Sequence, residues 1–230
     1  MKKIGLIGGM SWESTLIYYQ LMNQQIRERL GGFHSCKLVL DSVDFAEVEH
    51  LQHQQDWGAL NELMIESAIN LERAGAELII LCTNTMHKCA QAIKSHTSVP
   101  FLHIVEATGE QIRKEGIDRV LLLGTKFTME SELYPSILKN KYLTNCLVPN
   151  AKDQQTMHHI IYSELVHGII KQESRSQLKE IISKSIKEGV QGVILGCTEI
   201  SLLLRPVDVS IAYFDTTAIH ARAAVNFALN

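Results

Sequence analysis

Two stretches of this chain read almost as one. Arg73-Ala-Gly-Ala-Glu-Leu-Ile-Ile-Leu-Cys-Thr-Asn-Thr85 aligns without a gap on Lys187-Glu-Gly-Val-Gln-Gly-Val-Ile-Leu-Gly-Cys-Thr-Glu199. Gly75 meets Gly189, Leu81 meets Leu195, and Thr83 meets Cys197 at an offset of 114 residues (83 to 197). Each stretch is a helix end, a glycine, a short apolar run and then small polar groups, the pattern of a buried parallel strand with its carboxyl end exposed to a ligand. A second pair, Lys3-Ile-Gly-Leu-Ile-Gly-Gly9 and Arg119-Val-Leu-Leu-Leu-Gly-Thr125, matches at the similar offset of 116 (3 to 119). Two nearly equal offsets point to two similar α/β halves.

Between these anchors, periodicity alternates strand and helix. Strands are expected at 3–9, 37–41, 77–82, 99–103, 119–125, 143–148, 190–196 and 209–214. The intervening helices are expected from Ser11 to Leu30, then at 44–52, 57–74, 85–95, 130–140, 153–170, 174–188 and 216–228. In the first helix, Leu16, Tyr19, Ile26 and Leu30, with Met22 alongside, form the expected apolar face. Such alternation predicts parallel sheets flanked by helices. The expected fold is α/β, two pseudo-symmetric domains with a cleft between them. The first domain spans 1–103, joined by the C-terminal segment 209–230, and the second spans 104–208.

Composition narrows the function. Hydrophobic residues make up 46% and charged residues 20%, with a net charge of −3, so neither nucleic acid nor an anionic membrane is an expected partner. No apolar run approaches the roughly 20 residues that span a bilayer. Met1-Lys2-Lys3 is followed by a short, glycine-broken apolar run without a cleavage-like site, so the expected location is cytoplasmic. Five irregularly spaced cysteines and no C-x-x-C pair argue against a disulfide framework or a structural zinc site. His50-x-x-His53 and His87-x-Cys89 have ligand-like spacing but lack further ligands, so no metal is expected. Gly5-x-x-Gly8-Gly9 does not fit the dinucleotide fingerprint.

Ligands of parallel α/β sheets bind outside the carboxyl ends of strands. Four such ends carry small polar groups: Gly8-Gly9-Met10-Ser11, Thr83-Asn84-Thr85, Gly124-Thr125 with Thr128, and Cys197-Thr198-Glu199. Three precede a helix start, where unpaired N–H groups favour a carboxylate. Inverting a carbon that carries a proton needs a base on one face and an acid on the other. A thiol whose pKa is lowered at a helix N-terminus suits that role, and a threonine hydroxyl suits it poorly. Glu199 is open to two readings, a charge complementing the helix dipole or a group orienting Cys197.

Gly5-Leu-Ile-Gly-Gly-Met-Ser-Trp-Glu-Ser-Thr15, Cys82-Thr-Asn-Thr-Met-His87 and Gly196-Cys-Thr-Glu199, in this order, resemble the cofactor-independent aspartate/glutamate racemase family. The resemblance covers essentially the whole chain. It is greatest toward the bacterial branch of L-aspartate/glutamate-specific or broad-specificity amino-acid racemases. It implies an isomerase acting on a small-molecule amino acid through two opposed acid/base residues, with neither pyridoxal phosphate nor metal, in a family that commonly forms homodimers. Most of the family carries both acid/base cysteines, in Cys-Asn-Thr and Gly-Cys-Thr motifs. The second motif is intact and assigns Cys197. The first departs: Asn84-Thr85 matches, which puts Thr83 where the family has cysteine, as in the branch it resembles. Cys82 lies one residue early, and a one-residue shift in a strand turns a side chain to the other face. By analogy with glutamate racemases, Cys197 acts on L-substrates, so turnover is expected to favour them. The resemblance further implies that Asn84, Thr85, Thr125, Thr128 and Thr198 hold the α-carboxylate and amino group, with Met10 and Gln52 as additional binding positions. Substrates from aspartate and glutamate to homoserine-like amino acids stay open. So do a sister isomerase or decarboxylase acting on small acids, and a non-catalytic amino-acid-binding protein.

Overall fold

The computed structural model describes residues 1–230. The chain runs β1 (Ile4–Gly8), α1 (Trp12–Leu30), β2 (Leu38–Ser42), α2 (Phe45–Gln54), α3 (Trp57–Arg73), β3 (Leu78–Leu81), a 3₁₀ turn (Thr85–Cys89) and α4 (Ala90–His96). It continues through α5 (Ile104–Lys114), β4 (Arg119–Leu123), α6 (Lys126–Met129), α7 (Leu133–Tyr142), β5 (Asn145–Leu147) and α8 (Ala151–Ser163). A 3₁₀ turn (Leu165–His167), α9 (Gln172–Lys187), β6 (Gly192–Leu195), α10 (Ile200–Leu203), another 3₁₀ turn (Pro206–Asp208), β7 (Ala212–Asp215) and α11 (Thr216–Leu229) complete it. Two compact units result, 1–104 with 220–230, and 105–219. No helix is long and apolar enough to cross a membrane, and all five cysteines are free thiols.

The first unit holds a parallel sheet in the order β2-β1-β3. Its strands alternate between two cores. Ile4, Leu6, Leu78, Ile80 and Cys82 pack with Tyr18, Met22 and Ile26 of α1 and with Ala221, Ala224 and Val225 of α11. Ile7, Ile79 and Leu81 pack with Leu60, Met64, Ala68 and Leu71 of α3. Burial on both faces explains why these strands read as continuous apolar runs rather than as alternating ones. Helix starts are set by side-chain caps: Ser11 accepts from Ser14 N, Asp44 from Ala46 N, and Asp56 from Ala59 N.

Three expectations change in this unit. The buried face of α1 is Thr15, Tyr18, Met22 and Ile26, while Leu16 and Tyr19 are 54% and 52% exposed. Polar pairing decides that rotation, because Thr15 Oγ1 accepts from Gly9 N and Tyr18 bonds His220 of α11. The segment 99–103 makes only an isolated parallel bridge, Ile79 to Phe101, in place of a full strand. The expected helix 85–95 divides into the 3₁₀ turn and α4.

The second unit repeats the topology. Its sheet runs β5-β4-β6-β7, all parallel, so the strand triplet β5-β4-β6 has the order of β2-β1-β3. Leu121, Leu123, Val193 and Leu195 pack with Met157, Ile160 and Ile161 of α8 and with Leu178, Ile181 and Ile182 of α9. The offset of 116 therefore relates the two central strands, β1 and β4, and that of 114 relates β3 and β6. The sequence reading assigns 209–230 to the first domain. In the structure β7 pairs with β6 of the second sheet, and only the residues of α11 from His220 onward belong to the first unit. Residues 104–118, given no element from sequence, contain α5, which buries Ile104, Val105, Thr108 and Ile112.

Candidate active site

In the first unit, neighbouring strands β1 and β3 end side by side, so the turns that follow them are neighbours. Gly8 is enclosed, since a Cβ there would lie 2.6 Å from Thr15 Cγ2 and 2.7 Å from Leu40 Cδ1. Gly9 adopts φ +91°, and a Cβ on it would sit 2.2 Å from Val43 O. The Gly9 N–H donates to Thr15 Oγ1 (2.9 Å), whose hydroxyl donates to Ser11 O (3.0 Å). Met10, an expected binding residue, has its side chain buried among Ile7, Val48, Leu60, Met64 and Met86. Its backbone remains as the part that could meet a ligand.

Beyond β3, Cys82 is wholly buried in the core beneath α1, and burial pushes its thiol far above the usual range. Thr83 is partly exposed, Asn84 is buried, and Thr85 opens the 3₁₀ turn without a side-chain cap from Asn84. Strand alternation thus separates the cysteine from the threonine. Gln52 of α2 reaches the same turn, with Nε2 3.1 Å from Met86 Sδ.

His87 completes this corner and was not among the sequence-derived candidates. Its Nδ1 lies 2.8 Å from Thr83 O. A carbonyl oxygen can only accept, so Nδ1 carries the proton and Nε2 is a bare acceptor. That Nε2 is buried without a hydrogen-bond partner. Burial first, then the neighbouring His103 and His220, hold the His87 pKa well below its ordinary value. The neutral ring anchors the Thr83 carbonyl from four residues ahead, a signal available in sequence only as a histidine at i+4 in a tight turn.

In the second unit, β4 and β6 likewise end together. The Gly196 N–H donates to Leu123 O (2.6 Å), extending the pairing into the Cys197 turn. Thr128 fills the space between the two turns: a Cβ on Gly124 would lie 3.1 Å from Thr128 Cβ, and one on Gly196 3.2 Å from Thr128 Cγ2. Thr125 caps the single-turn helix α6, accepting from Thr128 N (3.4 Å), and the two hydroxyls are 3.2 Å apart. Thr198 is buried beside Cys197. The structure therefore brings Thr125, Thr128, Cys197, Thr198 and Glu199 to one sheet end.

Cys197 corrects one expectation. Its thiol pKa lies well above the ordinary value, raised by burial first, then by the charge of Glu199 and by their hydrogen bond. The Thr198 and Glu199 backbone N–H groups pull the other way, as a helix start would, but α10 is only four residues long. Sγ donates to Glu199 Oε2 at 2.9 Å. The Glu199 carboxylate makes no cap hydrogen bond to α10. Across the chain, no three His, Cys, Asp or Glu side chains are grouped so as to hold a metal ion.

The family model for Asp/Glu/Hydantoin racemases matches residues 7–224. The chain is 27% identical to the broad specificity amino-acid racemase RacX of Bacillus subtilis (strain 168), over 97% of this chain and 96% of that protein. A Yersinia pestis protein crystallised as a candidate Asp/Glu racemase is 49% identical, with a TM-score of 0.96 and 100% of both chains covered. An aspartate racemase homologue from Pyrococcus horikoshii OT3 is 38% identical, with a TM-score of 0.90 over 100% of both chains. The chain belongs to the Asp/Glu/Hydantoin racemase family and is an enzyme of the amino-acid racemase class.

Proposed function

We propose that this enzyme racemises aspartate, glutamate or a similarly small polar amino acid by moving the α-proton directly, and that it favours L-substrates. The observation that carries the reading is the inequality of two equivalent strand ends. β6 leads to a thiol hydrogen-bonded to a carboxylate, whereas the topologically equivalent β3 leads to a hydroxyl at Thr83. In this reading Cys197 removes the α-proton of the L-enantiomer, the bonding pair stays on Cα, and the resulting carbanion is reprotonated on the face served by Thr83. Hydroxyl and backbone N–H donors at Thr85, Thr125, Thr128 and Thr198, with the Asn84 amide, bind the α-carboxylate and stabilise the charge that develops on it. Gln52 and the Met10 backbone are further binding groups in this reading. RacX supports a broad side-chain range, and the aspartate racemase homologue supports an acidic one. Five free thiols fit a reducing, cytoplasmic setting.

Solvent deuterium exchange at Cα, followed by NMR with L- and D-glutamate, tests the asymmetry. Exchange from the L-form is expected to exceed that from the D-form by at least about tenfold, the low end of what one general base contributes being larger still. Equal rates would sink the idea.

A further inference from the structure

Glu199 occupies an unusual place for a residue at a helix start. It is the N-cap of α10 with helical backbone angles (φ −71°, ψ −22°), and its side chain makes no capping bond. None of the ion pairs of the chain includes it. Instead the carboxylate turns back two residues and accepts the Cys197 thiol proton at 2.9 Å. It is the one titratable side chain that acts on the sulfur, the other influences being burial and the Thr198 and Glu199 backbone N–H groups. A carboxylate in this position stabilises the protonated thiol. Yet a thiol cannot remove a proton from carbon; only the thiolate can. The resting pair must therefore pass its proton somewhere before the chemistry begins.

We propose that Glu199 is that destination, so that Cys197 and Glu199 work as a thiol–carboxylate dyad sharing one proton. This rests on the racemase reading of Cys197. In the working step the S–H proton passes to Glu199 Oε2, and the sulfur keeps the bonding pair as thiolate. The thiolate then takes the Cα–H proton of the L-amino acid; the S–H bond forms, the Cα–H bond breaks, and its electron pair stays on Cα. The step ends with one proton on sulfur and one on Glu199, and no other reactant is consumed. Glu199 thus acts through Cys197 as a positioning and proton-accepting residue, without touching the substrate carbon.

The test is Glu199→Gln, which keeps the size and the hydrogen-bond acceptor but neither the charge nor the ability to take a proton. Two readouts are compared with the wild type. One is the pH midpoint for iodoacetamide modification of the Cys197 peptide, followed by mass spectrometry. The other is Cα deuterium exchange from L-glutamate. The dyad predicts opposite movements. The modification midpoint falls by about one pH unit or more, so modification near neutral pH speeds by about tenfold. Exchange slows by about a hundredfold or more, the loss expected when a general base is disabled. A carboxylate that only orients the sulfur would also lower the midpoint, through the charge it loses, but would leave exchange within about threefold, because the glutamine oxygen still accepts the bond. Either an unmoved midpoint or retained exchange overturns the proposal. Glu199→Asp restores part of the exchange if a carboxylate is what matters, and it replaces the glutamine variant should that one not fold. A wild-type midpoint at or below that of free cysteine would also overturn the dyad. If wild-type protein exchanges no amino acid, the racemase reading fails, while the modification midpoints still decide whether Glu199 holds the thiol protonated.

Discussion

Cys82, Thr83 and Cys197 show how much one position along a strand matters. Cys82 is chemically the better acid/base group, but β3 alternation sends it into the core with Leu78 and Ile80, where burial keeps it protonated. Thr83, the next residue, is partly exposed, and its carbonyl is held by the neutral His87 ring. Putting a thiol at position 83 should therefore even out the two faces. Thr83→Cys is expected to raise Cα exchange from D-glutamate by at least about tenfold, measured by NMR against wild type, with exchange from L-glutamate changing much less. No gain with the D-form would mean that position 83 does not serve that face. These identities were legible in sequence because Asn84-Thr85 and Gly-Cys-Thr fix the frame. The His87 anchor and the raised Cys197 pKa were not, since both depend on burial and on neighbours that no motif records.

At the scale of elements, the turns after β1 and β6 tolerate no side chain where glycine stands. Gly9 combines a left-handed φ of +91° with a carbonyl 2.2 Å from where a Cβ would be. Gly9→Ala should cost about 2 kcal/mol or more, because strain at a positive φ adds to displacement of the 43 carbonyl. Urea denaturation measures this, and a loss under about 0.5 kcal/mol would contradict the geometry. The strands and long helices follow the apolar pattern closely, as β1, β3, β4 and β6 are buried on both faces and their runs are unmistakable. The rotation of α1 was not readable, because Leu16 and Tyr19 look like core residues until the polar partners of Thr15 and Tyr18 are known. The short helices α6 and α10 were equally hidden, since one turn carries no period.

For the molecule as a whole, a buried histidine makes stability depend on pH. His220 belongs to the first unit, where its Nε2–H donates to Leu102 O (3.0 Å) and its Nδ1 accepts from Tyr18 OH (2.8 Å). The rings of His87 and Tyr18 lie beside it, and His103 adds a further unfavourable charge interaction if it protonates. Burial pushes its pKa down from 6.5 to about 3. Unfolded chains take up a proton below pH 6.5 that the folded protein refuses, so this contribution is complete above that pH and is lost as the pH falls toward 3. Within that window the loss approaches about 1.4 kcal/mol per pH unit for each such proton. Unfolding free energies measured from neutral pH down to about pH 4 should fall more steeply in wild type than in His220→Gln. Parallel slopes would show that His220 is not held neutral.

The sequence by itself determined the α/β class, the internal repeat, the four strand ends that carry polar groups, and the family motifs. All of these rest on local signals, namely apolar runs, glycines at turns and residue order. The tertiary structure decided which strands lie next to each other, that β7 joins the second sheet, and which face of α1 is buried. It also decided that the Cys197 thiol rests on a carboxylate instead of being ionised by a helix. Those outcomes depend on burial and on contacts between residues far apart in the chain, such as Tyr18 with His220, and no local pattern encodes the free energy of such an encounter.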